Sequence, residues 1–141
     1  MKVKTIVAVL NLLSVVGCQS TIGENYTYVP KQLEQAVIDD LNSTFPQKSK
    51  AGTSTITLSF VEHEAYIEIY QALDDDLVFI GNSFKTNTYN LLCGLEQNDF
   101  FDLIRMHNLG VKYVFEDGRM IREIGPWNTD ICKMPTKNIS N

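Results

Sequence analysis

Only two histidines and three cysteines occur in the 141 residues, so a centre built from several imidazoles or thiolates lacks its donors. Catalytic signatures are missing as well. There is no G-x-S-x-G elbow, phosphate-binding glycine loop, zinc-protease helix or dinucleotide fingerprint. His63 sits between Glu62 and Glu64 where a hairpin tip is expected, and a tip preorganises a site poorly. His107 falls near the end of a predicted helix, where an imidazolium suits the dipole. Neither has a triad around it, so the chain reads as a binding or assembly protein, with no catalytic residue, cofactor or metal assigned. No internal repeat or low-complexity tract divides it. No apolar run reaches the roughly 20 residues that a membrane-spanning helix needs.

What is present begins with a leader. Lys2 and Lys4 precede an apolar run from Ile6 to Val16, interrupted only by Asn11 and Ser14, which is the layout of a secretory signal. Val15, Val16, Gly17 and Cys18 resemble the bacterial lipobox, in which a small residue precedes a cysteine that is acylated before cleavage. A plain signal peptide with a coincidental cysteine is the alternative; position, small neighbour and apolar run together favour lipidation of Cys18. Several acyl chains anchor firmly where one does so marginally. Losing residues 1–17 reduces the 12 basic side chains to 10 against 17 acidic ones, a formal net charge of −7. Such a chain lacks the lysine and arginine that bind phosphate backbones, so nucleic acid is not a partner. Export also places Cys93 and Cys132 where thiols oxidise, and they are expected to form a disulfide worth roughly 3 to 4 kcal/mol.

The expected organisation is a signal peptide over 1–17, a tether over 18–29, a folded domain over 30–134 and a flexible tail over 135–141. Within the domain, Pro30 suits a first helical position, and Leu33, Val37, Ile38 and Leu41 recur at helical spacing over 31–42. Pro46 and Gly52 make 43–53 a loop. Ile56, Leu58 and Phe60 alternate with polar residues as one strand. A reversal near His63 and Glu64 would set Phe60 opposite Ile67 and Leu58 opposite Ile69, giving one apolar face. The other face carries Thr57, Ser59, Tyr66, Glu68 and Tyr70, and is open to solvent, a helix or a partner.

Asp74, Asp75 and Asp76 lack the spacing of a calcium loop and read as a solvated turn. A helix is expected over 82–95, carrying Cys93. A second begins at an Asn98 cap and leaves through a left-handed Gly110. Asp117 and Gly118 form a favoured two-residue turn that sets Phe115 opposite Met120, Val114 opposite Ile121, Lys112 opposite Glu123 and Glu116 opposite Arg119. Gly125 and Pro126 end that strand. The sum is a small single α+β domain with antiparallel hairpins packed against helices and one disulfide.

In layout the chain resembles the pilotin lipoproteins of bacterial type II secretion, as found in vibrios and enteric pathogens. The likeness lies in Cys18 followed by a helix, a hairpin, the run Tyr89-Asn90-Leu91-Leu92-Cys93, then Gly110-Val111-Lys112-Tyr113, Asp117-Gly118-Arg119 and Thr129-Asp130-Ile131-Cys132. It implies an assembly chaperone that binds the C-terminal segment of a secretin subunit and travels with it on the lipoprotein-sorting machinery. Gln19 is not the aspartate associated with inner-membrane retention, so the resemblance implies a palmitate-bearing protein anchored in the outer membrane and facing the periplasm. It carries over Cys18, Cys93 and Cys132 and leaves the partner-binding residues unknown. The competing expectation is a lipoprotein inhibitor or exclusion factor that blocks an enzyme or incoming phage or conjugation machinery.

Overall fold

The computed structural model describes residues 22–73, 82–118 and 120–134. The leader, Cys18, the Asp74 to Asp76 turn, Arg119 and the tail over 135–141 lie outside the described residues. The described chain forms α1 (Gln35–Thr44), β1 (Gln47–Ala51), β2 (Ser54–Val61), β3 (Tyr66–Leu73), α2 (Asn82–Leu92), α3 (Asp99–Met106), β4 (Gly110–Asp117) and β5 (Ile121–Trp127), with 3-10 turns at Glu62–Glu64 and Thr129–Lys133. One sheet in the order β1-β2-β3-β4-β5 holds all five strands. Neighbours are antiparallel except β3 and β4, which run parallel because α2 and α3 intervene and return the chain to the same end. This is the expected small α+β domain.

The β2–β3 register is the one that alternation predicts, Phe60 against Ile67 and Leu58 against Ile69. A slip of one residue would turn every apolar side chain outward. The Asn98 cap also forms: its side-chain oxygen accepts from the N–H groups of Phe100 and Phe101 at 3.1 and 3.3 Å, satisfying donors that the first helical turn leaves free.

Four expectations are corrected. α1 starts at Gln35 rather than Lys31, because Glu34 is extended and Lys31 is drawn into an ion pair with Asp130 at 2.6 Å. The expected loop over 43–53 contains β1, an edge strand whose five residues are all exposed. It buries no apolar face, so alternation gives no signal there, and its lysines suit an edge that must not recruit further strands. The left-handed exit from α3 is Asn108, φ 52°, with Leu109 N–H donating to Ile104 O and Asn108 N–H to Arg105 O. Gly110 instead opens β4.

The fourth correction concerns the last hairpin. Phe115 pairs with Arg122, Val114 with Glu123 and Glu116 with Ile121, two residues out of the expected register. Asp117 closes the ladder instead of turning: its N–H donates to Met120 O at 3.2 Å, and its carboxylate accepts from Met120 N–H at 3.0 Å. Lys112 still reaches Glu123, diagonally, at 3.4 Å. Gly125 and Pro126 do not end β5 but lie within it, where the register shifts between Val111 and Tyr113 as a bulge does.

One face of the sheet meets the helices. Ile67, Ile69, Val111, Phe115 and Ile124 pack there with Leu41, Leu92, Phe101 and Ile104. Ile67, Leu92, Ile104 and Leu109 expose no surface, and burying each contributes about 1.5 to 3 kcal/mol. Tyr113 joins Phe84, edge to face at 4.8 Å, and stacks on Phe115 at 5.9 Å. α2 stops cleanly because Gly94, φ +74°, admits the left-handed turn; Leu95 N–H then donates to Asn90 O and Gly94 N–H to Leu91 O, a Schellman cap. Cys93, the residue before it, is bonded to Cys132 in the turn after β5, with Cα atoms 5.7 Å apart.

Replacing Cys93 and Cys132 together by serine is expected to lower stability by about 3 to 4 kcal/mol, read from urea unfolding under oxidising conditions. A variant as stable as the parent would show that the bridge contributes nothing. Burial pushes the Tyr113 phenol up to about 12, with a Thr88 hydrogen bond working the other way. The unfolded phenol ionises near 10.0, so its contribution is whole below that value and is lost as pH rises towards about 12. Alkaline titration of unfolding should be shallower over this window in Tyr113→Phe, and an unchanged slope would contradict the assignment.

Candidate functional site: an open sheet face and its N-terminal strap

Among the described residues, the sheet's second face has no counterpart to the helix layer. Alternation places Thr57, Ser59, Tyr66, Glu68, Tyr70, Lys112, Val114, Glu116 and Glu123 on it. Tyr66 and Val114 are buried, yet both lie outside the cluster that the helices complete. Their cover is local. The Tyr28 ring stands edge-on to Tyr66 at 6.3 Å, and Lys112 Nζ lies 6.0 Å from the Tyr66 ring centre, its stem lying along apolar surface while the charge reaches Glu123. Burial works against that charge, but the Glu123 hydrogen bond and carboxylate outweigh it and leave the Lys112 pKa raised.

Tyr28 belongs to the segment over 18–29 that was expected to be a short tether. Residues 22–31 instead form a strap fastened to the domain at several points. Tyr28 Oη donates to the carbonyls of Glu64 and Ala65 at 2.8 and 2.9 Å, and burial raises its pKa well above the ordinary phenol value. The ring lies so close to β4 that a Cβ on Gly110 would stand 2.6 Å from Tyr28 Oη; Gly110 is therefore required for close approach. Gly23 is pressed likewise against the Trp127 ring, where a Cβ would come within 2.6 Å.

Asn128 is the hub of this fastening. Its side chain has no exposed surface. The amide oxygen accepts from Tyr26 Oη at 2.7 Å and from Asp130 N–H at 2.9 Å, while Nδ2 donates to Val29 O at 3.1 Å. Its backbone N–H donates to Tyr26 Oη at 3.3 Å. Lys31 and Lys133 converge on Asp130 at 2.6 and 3.0 Å, and their hydrogen bonds hold its carboxyl below the usual range. Between strap and sheet lies a pocket of about 590 Å³, bordered by Ile22, Tyr26, Lys85, Glu123 and Trp127.

Of the residues singled out in the sequence, Cys93 and Cys132 are brought together, Tyr66, Glu68 and Tyr70 lie on the open face, and Cys18 falls outside the described residues. His63 is 80% exposed beside Glu64 at 3.7 Å, and His107 ends α3. Among the described residues, no group of three or more His, Cys, Asp or Glu side chains is placed to hold a metal, and no helix is long and apolar enough to cross a membrane. Sequence reasoning missed the strap. Its signals were Tyr26 and Tyr28 at strand spacing, and Asn128-Thr129-Asp130, the Asx-turn pattern that starts a helical turn.

Compared with protein-family models, with curated proteins and with solved structures, the chain matches none.

Asn128→Ala removes three side-chain hydrogen bonds and strands buried partners, so a loss of about 2 to 4 kcal/mol is expected. Limited proteolysis should then cut within 22–31 much faster, while Lys31→Ala, which removes a partly exposed ion pair, changes little. Equal protection of the strap in Asn128→Ala and the parent would contradict the hub assignment.

Proposed function

We propose that this chain is an exported lipoprotein, acylated at Cys18, that serves as a pilotin: an assembly chaperone carrying a secretin subunit to the outer membrane. The observation that supports the reading most is the lipobox-like Val15-Val16-Gly17-Cys18 run directly ahead of a domain closed by the Cys93–Cys132 bridge. A disulfide is at home in an oxidising compartment, and a cysteine behind a small residue after an export signal is a lipid acceptor.

The open sheet face supplies a surface for the client. An amphipathic segment of the secretin C-terminus lays its apolar side over Tyr70, with polar partners at Glu68, Lys112 and Glu116, in the manner of a helix seated on a groove. The lipid supplies the address, and the lipoprotein-sorting machinery supplies the transport. Neither task calls for a catalytic group.

Deleting the gene should reduce secretin multimers or leave them in the inner membrane, and Cys18→Ser should fail to restore them while accumulating as soluble periplasmic protein without acyl mass. Secretin multimers at normal level in the outer membrane of the deletion strain would remove the pilotin reading.

A further inference from the structure

The strap restricts how a lipid-bearing residue can stand relative to the domain. Four residue steps separate Cys18 from Ile22, a contour of at most about 14 Å. Beyond Ile22 there is no slack, since Gly23 is seated on Trp127, Tyr26 and Val29 are held by Asn128, and Tyr28 is held by the Glu64 and Ala65 carbonyls. All these anchors lie at one end of the sheet: the first residues of β3 and β4, and the last of β5. The other end carries the reversal from Asp117 to Ile121, about 23 Å away along β4.

We infer that the strap end, bordered by Ile22, Glu24, Pro126 and Trp127, is the surface this domain presents to the lipid bilayer, with the β4–β5 tip pointing away from it. The inference rests on acylation of Cys18, and adds an orientation that acylation alone does not give: a domain on a loose tether tumbles, whereas this one is held by its edge. It also means that Met120 and Ile121, 54% and 65% exposed, are not a membrane anchor but project outward. The open sheet face then stands upright on the membrane, accessible from the side.

Trp127 is the only tryptophan and touches the strap, so its fluorescence reports on this end without any added label. The full chain, expressed with lipoprotein processing and with acylation verified by intact mass, is placed in phosphatidylethanolamine–phosphatidylglycerol vesicles containing a dansyl-headgroup lipid. Strong energy transfer from Trp127 is expected. Inserting twelve Gly/Ser residues between Gln19 and Ser20 leaves the described fold untouched and adds an average reach of about 20 Å, so transfer should fall about twofold or more. Acylated protein with weak transfer, or with transfer that the insertion leaves unchanged, overturns the orientation. Protein that carries no acyl mass and stays off the vesicles overturns the lipoprotein reading itself, and with it the premise of the orientation.

Discussion

A single fully buried amide, Asn128, holds the two ends of the folded chain together, and much of the architecture depends on its being satisfied. A primary amide in a low-dielectric interior is costly when unpaired and strongly directional when paired. Here its oxygen takes two hydrogen bonds and its nitrogen gives one, and no buried side-chain polar atom among the described residues lacks a partner. The same short turn carries Cys132, bonded to the end of α2. The strap, the last strand and the crossover helices are therefore fastened at one place, the amide acting in the native state and the disulfide chiefly by restricting the unfolded chain.

That junction lets a one-sided sheet exist. Among the described residues, helices α1 to α3 complete the core on one face only, so the other face is kept wet, charged or locally covered. It is all three by region. The strap shields Tyr66 at one end, the Lys112 stem spreads over the middle with its charge answered by Glu123, and Glu68 and Glu116 keep the remainder hydrated. Such a face holds aromatic and aliphatic surface beneath polar groups.

How much of this was legible in the amino-acid sequence follows from which forces leave a local pattern. The β2–β3 hairpin was fully readable because burial on one face imposes period two on Ile56, Leu58, Phe60, Ile67 and Ile69. The Asn98 cap was readable because its partners lie two and three residues away. β1 was invisible, since a strand that buries nothing needs no apolar residue, and only its pairing with β2 makes it a strand. The strap was invisible for another reason: Asn128 meets Tyr26 across 102 positions, and no local window contains both. Gly110 was noticed and given the wrong task, because a glycine after a helix fits a left-handed exit as well as a close backbone approach, and only Tyr28 distinguishes them.

The last hairpin separates two constraints that are easily merged. Asp117-Gly118 is a favoured turn pair, but a type I′ turn needs left-handed backbone at both central residues. Asp117 does better outside the turn, where it keeps a backbone bond to Met120 O and lends its carboxylate to Met120 N–H; Gly118, φ +42°, then enters the reversal. The resulting slip is two residues, an even number, so Tyr113 and Phe115 still face the core and Val114 still faces away. An odd slip of β5 on β4 would have turned Ile124 outward and Glu123 in among the helices, a penalty that no turn preference of around 1 kcal/mol could offset. Burial thus decides which side of the sheet each residue occupies, and turn chemistry chooses only among the registers that burial permits. For that reason the expected and the observed registers of this hairpin, two residues apart, put each residue on the same side of the sheet.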